Sequence, residues 1–352
     1  MTAATAFPLG AQAHPVRAWL HLLAALVILM VAVGGATRLT GSGLSITEWR
    51  PVTGAVPPLS EAAWLAEFER YRQIPQYQLV NRGMSLSEFK TIYWWEWGHR
   101  QLGRFLGLAF FVPFLWFWAK GLVRGRLALA LLGIGALGGM QGAVGWIMVA
   151  SGLEPGMTAV APIKLTLHLT LASVILAALV WIAAGMRVPV PAERAGEGLR
   201  RGAFVLLGLV FVQIALGGLV AGSKAGLIYN TWPLMDGRLV PPAALLFATT
   251  PFVENFVDNH ALVQFNHRLV AYAVVGFALW HAVSARAAAP GSAVARRATG
   301  LAAACLAQMA LGIVTLVLVV PLWAGLAHQV FAMLILAMAT VHARLSPQAL
   351  SR

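Results

Sequence analysis

The chain has 352 residues, 59% of them hydrophobic and 11% charged, with a mean hydropathy of +0.77. Such a composition excludes an ordinary soluble domain, and a single cysteine excludes a disulfide-stapled scaffold. The formal charge of +13 follows the membrane topology rather than a nucleic-acid surface, so no nucleic-acid partner is implied.

A helix needs about 20 apolar residues to cross the hydrocarbon core. The first such run covers 18–37; it is too long, and too poor in a following cleavage site, for a signal peptide, and reads as a retained helix. A long loop, 39–98, follows. Within it Trp64, Phe68 and Tyr71 recur at i, i+4 and i+7 behind Ser60, which predicts an amphipathic helix capped by that serine. Ser85 and Glu88 have the spacing of a capping box and open a helix through Phe89, Ile92 and Tyr93 into the second run, 100–119. Runs at 127–149, 165–186 and 202–222 precede a second long loop, 223–262. Those at 263–284, 299–320 and 325–343 complete eight, with Cys305 inside the seventh. The expected fold is an all-α polytopic membrane protein with eight transmembrane helices.

Lysine and arginine orient it. With both termini cytoplasmic, the inner segments 1–17, 120–126, 187–201, 285–298 and 344–352 hold thirteen of them, among them Lys120, Arg124, Arg200, Arg201, Arg296 and Arg297. The outer segments are twice as long, hold about eight, and carry nearly all the acids, the positive-inside asymmetry.

The chain reads as a duplication. The first run ends in "VGGATRLTGSGLSITEWRPVTGAVPP" and the fifth in "LGGLVAGSKAGLIYNTWPLMDGRLVPP"; each gives Gly-Gly, a basic residue, a serine turn, Trp and Pro-Pro. The second run opens with His99-Arg100 and the sixth with His267-Arg268. The fourth and eighth carry His168 and His328 in their first turns. Residues 1–190 and 191–352 are therefore expected to form two pseudo-symmetric four-helix bundles, parallel because four crossings return the chain to the same side.

His99, His168, His267 and His328 all lie near the outer ends of their helices. Any one could be a hydrogen-bonded bundle residue. Four at repeat-equivalent positions point to function, because ionisable groups inside a membrane are costly. Paired imidazoles hold haem iron, which suggests one site from His99 with His168 and another from His267 with His328. No cluster of Cys, Asp or Glu suggests a metal ion. His281 and His342 each follow a site histidine by 14 residues, about 21 Å of helix, and could bracket a further haem on the inner side. Against this, Pro113 and Ile182 occupy the matching positions of the first half, and in last turns near Arg286 and Arg344 the pair can instead hydrogen-bond terminal carbonyls and favour the helix dipole. His14, His21 and His260 read as interfacial. Glu96 stands three residues before His99, on roughly the same face; Gln264 stands three before His267. A carboxylate in one half only marks the N-terminal pocket for chemistry, unless Glu96 merely pairs with Arg100.

At these residues the chain resembles the haem A synthase family. The resemblance covers nearly its whole length and rests on "GGATRLTGSGLSITEWRPVTGAVPP", "EFKTIYWWEWGHRQLGR", "KLTLHLTLA", "YNTWPLMDGRLVPP", "QFNHRLVAY" and "GLAHQVFAM". It implies an oxidoreductase of the bacterial inner membrane that converts a methyl group of haem O to the formyl group of haem A, for cytochrome c oxidase biogenesis. It implies a substrate pocket at His99 and His168, with Glu96 as the essential carboxylate, and a resident haem b at His267 and His328. Without loop cysteines the chain looks like the cysteine-poor subtype of mitochondria and related bacteria. Expected partners are membrane lipid, haem O itself, the haem O synthase (protohaem farnesyltransferase) and an electron-transfer protein; a homo-oligomer stays open. Arg38, Arg100, Arg104, Lys224 and Arg268 are candidates to meet haem propionates, with Arg100 and Arg268 favoured; interfacial snorkelling is the alternative. The chief rival reading is a di-haem quinol-linked cytochrome using His281 and His342; a transporter would fit the repeat but leaves the histidines without a task.

Overall fold

The computed structural model describes residues 13–186 and 196–346; the expected inner segments therefore lie partly outside the described residues. In chain order the α-helices are α1 (Ala13–Leu39), α2 (Glu61–Arg72), α3 (Pro75–Leu79), α4 (Leu86–Ala119), α5 (Gly125–Ser151), α6 (Pro162–Gly185), α7 (Glu197–Gly222), α8 (Ala243–Leu246), α9 (His260–Ala288), α10 (Ala293–Val317) and α11 (Leu322–Leu345). Eight of them, α1, α4 to α7 and α9 to α11, are long and apolar enough to cross a membrane, as the apolar runs require.

Local signals explain the boundaries. Ser60 accepts from the Ala63 N–H and caps α2, and Ser85 and Glu88 form the full capping box of α4. From that cap α4 runs 34 residues, about 51 Å, so its first turns project beyond a membrane. α6 begins with Pro162 in its first turn and α11 follows Pro321 as N-cap, where proline's missing N–H costs nothing. Both start a turn before the apolar runs do, so His168 and His328 fall in the second turn rather than the expected first.

α1, α6, α7 and α11 pack on one another at the centre, with α4 against α1, α5 against α6, α9 against α7 and α10 against α11. Small residues allow the close approaches. A Cβ on Gly222 would lie 2.6 Å from the Pro162 Cα, and one on Gly218 3.0 Å from the Thr166 hydroxyl. Two polar bonds tie the central helices: Arg38 donates to the Ala221 carbonyl at 2.7 Å and Gln329 to the Val31 carbonyl at 2.8 Å.

One contrast bears on function. α9 lies tightly along α10, whereas α4 meets α5 sparsely. They come close at Gly135, where a Cβ would lie 3.0 Å from the Phe110 ring. Nearer the histidines, Gly107 of α4 and Gly138, Gly139 and Gly142 of α5 have no atom within 4 Å of an added Cβ. With His99 aligned to His267 and Gly145 to Gly312, the corresponding residues of the second half are Val275, Cys305, Leu306 and Met309.

The loop from 40 to 85 folds back over the first half. Trp64, Phe68 and Tyr71 of α2 pack on Phe89, Ile92 and Tyr93 of α4, together with Leu44 and Ile46. Trp49 stacks on Trp146 of α5 at 6.0 Å.

Candidate functional site

Each of the four histidines rests against a glycine of a neighbouring helix. A Cβ on Gly34 would lie 2.9 Å from the His99 Cε1; on Gly145, 2.8 Å from that of His168; on Gly217, 3.3 Å from that of His267; on Gly312, 2.9 Å from that of His328. Only glycine lets α1, α5 and α10 pass so near the rings, while the looser α7 contact leaves a few tenths of an ångström more. His99 lies within electrostatic reach of His168, and His267 of His328, the pairing anticipated from the repeat. The Nδ1 atoms of His99, His168 and His328 are buried without a partner.

Glutamines complete this frame. Gln141 donates to the main-chain carbonyl of His168 at 2.9 Å, Gln213 to that of His267 at 3.1 Å, and Gln308 to that of His328 at 2.9 Å. Sequence reasoning missed them, although "QGAVG", "QIALG" and "QMALG" recur as a visible signal, one per helix, each ending on the glycine that meets a histidine.

Glu96 and Gln264 are both buried, 3% and 2% exposed, yet they are held differently. One Glu96 oxygen accepts from the Ser45 hydroxyl and the Ile46 N–H, both at 2.8 Å. The other accepts from the Arg100 guanidinium at 3.1 and 2.6 Å. Four donors on two oxygens suit an ionised carboxylate, which only accepts. Gln264 instead donates to the Ala225 carbonyl at 2.8 Å and accepts from Arg268 at 2.8 Å. Glu96 thus does pair with Arg100, and it also fastens the loop to α4.

The arginines are committed mainly to loops. Arg100 donates to the carbonyls of Glu48 and Ile46 at 2.9 and 2.7 Å. Arg104 donates to those of Pro51 and Arg50 at 2.8 and 2.9 Å, and Arg268 to those of Tyr229 and Leu234 at 2.8 and 3.3 Å. Of the propionate candidates, Arg268 keeps a buried Nε without a partner, and Lys224 is exposed.

His281 and His342 are each 1% exposed and bond one another, Nε2 to Nε2, at 2.8 Å. Neither capping nor iron ligation describes them. A metal–imidazole bond is about 2 Å long, so two ligands across one iron stand about 4 Å apart. The further haem considered for these histidines, and the rival cytochrome built on it, does not match this contact. His14, His21 and His260 are exposed, as interfacial residues are.

The donor set fits a porphyrin iron. Each half brings two imidazoles together, their rings set against glycine and the Nδ1 atoms of His99, His168 and His328 idle, while that of His267 meets the Gln213 amide at 3.1 Å; no group of three or more His, Cys, Asp or Glu that could hold a metal ion occurs among the described residues. Glu96 stands beside only one pair.

Comparison with known proteins gives the same direction. A family model described as COX15-CtaA, cytochrome oxidase assembly protein, matches residues 17–340. The heme A synthase of Methylorubrum extorquens (strain PA1) is 69% identical over 331 residues, covering 94% of this chain and 86% of that protein. That of Methylorubrum populi is 70% identical over the same shares, and that of Bradyrhizobium sp. (strain ORS 278) is 51% identical over 98% of this chain and 95% of its own. With a match across nearly all its membrane helices, the chain belongs to the COX15-CtaA family of cytochrome oxidase assembly proteins, the haem A synthase family.

Proposed function

We propose that this chain acts as a haem A synthase, an integral membrane oxidoreductase that oxidises one methyl group of haem O to a formyl group and so supplies haem A for terminal-oxidase assembly. The observation that carries the reading is the unequal setting of two equal histidine pairs. His267 and His328 sit beside the closed α9–α10 seam, with the neutral Gln264, a setting suited to a permanent haem b. His99 and His168 sit beside the glycine-lined α4–α5 seam, with the ionic Glu96–Arg100 pair. A macrocycle with a long isoprenoid tail can enter such a seam from lipid. The N-terminal half (1–190) is thus the substrate domain and the C-terminal half (191–352) the resident-haem domain, two pseudo-symmetric bundles.

Haem b, when bound, would supply one-electron transfer. The reaction is two successive hydroxylations of one methyl, each exchanging a C–H hydrogen for the hydroxyl of a water and releasing two protons and two electrons, the electrons passing to the electron-transfer partner; the geminal diol then loses water to the aldehyde. His99 and His168 hold the substrate iron. Glu96, already accepting four hydrogen bonds, acts through its negative charge, stabilising positive charge that develops at the methyl carbon. Arg268, through its idle Nε, is the better propionate partner; Arg100 holds Glu96 and the loop. The protein lies in the bacterial inner membrane with cytoplasmic termini and the histidine sites toward the periplasm. The haem O synthase delivers substrate, and an electron-transfer protein takes the electrons.

Glu96→Gln tests the assignment, since Gln264 demonstrates that a glutamine before an i+4 arginine is accommodated at the matching position. Purified variant should retain haem B and haem O while unoxidised or half-oxidised haem accumulates on extraction and chromatography. Normal haem A output would refute the role of Glu96. Absence of haem O and haem A from the wild-type protein during turnover would refute the function.

A further inference from the structure

Four helices present a glycine to a site histidine, and the residue four positions earlier repeats too: Gln141 in α5, Gln213 in α7, Gln308 in α10, but Met30 in α1. Residues four apart share a helix face, so each of these side chains lies beside the facing histidine. The three glutamines bond the main-chain carbonyl of the histidine itself, at 2.9 to 3.1 Å. That carbonyl already accepts the helical N–H from four residues on; the glutamine adds an interhelical bond at the residue carrying the ring. Met30 reaches the turn of α4 that follows His99. Its methyl carbon lies 3.4 Å from where a Cβ of Gly103 would stand, and Gly103 is four residues after His99. A thioether has no hydrogen to donate, and among the described residues no side chain donates to the His99 carbonyl.

We propose that this one difference makes His99 the releasable ligand: Gln213 and Gln308 clamp both histidines of the half that keeps its haem, whereas Gln141 clamps only His168 in the half that must exchange substrate for product. The proposal rests on the reading that His99 and His168 hold the substrate iron. Met30 and the glutamines are positioning residues, acting through the backbone of the ligands and, for Gln213, also against the His267 ring, whose nitrogens lie 3.1 and 3.3 Å from its amide. A synthase must discard its product after each turnover, and a site with one firmly fixed and one loosely fixed imidazole can bind a haem and still let it go. In the resident half the same looseness would waste the cofactor.

Haem transfer to excess apomyoglobin reads this directly. Purified protein is mixed with the acceptor, and haem B, haem O and haem A left on the enzyme are separated by chromatography over time, with the low-spin absorption bands followed in parallel. Met30→Gln should slow loss of haem O and haem A roughly three- to tenfold, the factor one hydrogen bond supplies, and leave haem B loss unchanged. Gln213→Met should speed haem B loss by a similar factor and leave the other haems unchanged. Unaltered haem O and haem A release in Met30→Gln overturns the proposal, as does unaltered haem B release in Gln213→Met. Equal slowing by Met30→Leu, which adds no donor, overturns the hydrogen bond as the cause. The underlying reading fails separately: if His168→Ala still retains haem O and haem A, the N-terminal half is not the substrate site, whatever Met30 does.

Discussion

At single residues, the site depends on what is missing as much as on what is present. The rings of His168 and His328 occupy the space a Cβ would need on Gly145 and Gly312, at 2.8 and 2.9 Å, while Gly217 leaves His267 3.3 Å. Contacts under about 3 Å force a ring to move; longer ones need a shift of a few tenths of an ångström. On the proposed assignment of a haem b to His267 and His328, Gly312→Ala should therefore abolish its low-spin spectrum, and Gly217→Ala should weaken it only mildly. Equal loss in both would mean that the ring contact does not decide ligation. The His281–His342 pair makes a contrasting case. Removing one ring strands the other, a buried polar group that costs about 1–3 kcal/mol, so His281→Leu should lower thermal stability by that order. Replacing both by apolar residues should recover part of the loss. Haem content, measured by pyridine haemochrome, should stay unchanged throughout.

Among elements, the loop from 40 to 85 behaves as a small folded cap rather than a linker. Phe89 is fully buried and stacks on Phe68 at 5.0 Å and Tyr71 at 5.3 Å. The Tyr71 hydroxyl donates to Gln76 at 3.0 Å and accepts from Asn81 at 2.6 Å, and Gln76 donates on to the Gly41 carbonyl at 3.1 Å. That chain joins α2 and α3 to the end of α1. Cutting Phe89 to alanine should cost about 3–5 kcal/mol of local stability. Limited proteolysis would then cut between 60 and 85 while the membrane helices resist, and Ser45 and Ile46 would lose their hold on Glu96. Unchanged resistance in this loop would show that α2 is fixed by something other than its aromatic contact with α4.

In the whole molecule, a common histidine frame is used with two different seams. The α4–α5 seam has glycine where α9 and α10 carry Val275, Cys305, Leu306 and Met309. Filling it from the other half's pattern, with Gly139→Leu and Gly142→Met, should lower the haem O and haem A that copurify by several-fold and leave haem B as in the wild type. Loss of haem B to the same extent would mean that the seam contributes general stability instead of substrate access.

The eight membrane helices, their caps and the four histidines were legible in the sequence because hydropathy, capping residues and an internal repeat are local patterns. The pairing of His99 with His168 and of His267 with His328 also followed from the repeat. The clamp glutamines escaped notice because QxxxG reads as ordinary helix until a histidine carbonyl from another helix lies beside it. His281 and His342 had the spacing of haem ligands, and only their placement 2.8 Å apart made them a hydrogen-bonded pair. Glu96 was distinguishable from Gln264 in the sequence, but its knot with Ser45 and Ile46 joins residues about fifty positions apart. By itself the sequence determined which residues are apolar, which cap or break a helix and which helices carry an imidazole near their outer ends. Apart from the histidine pairs that the repeat suggested, tertiary structure decided which of them meet, because contacts between helices depend on packing that no local pattern encodes.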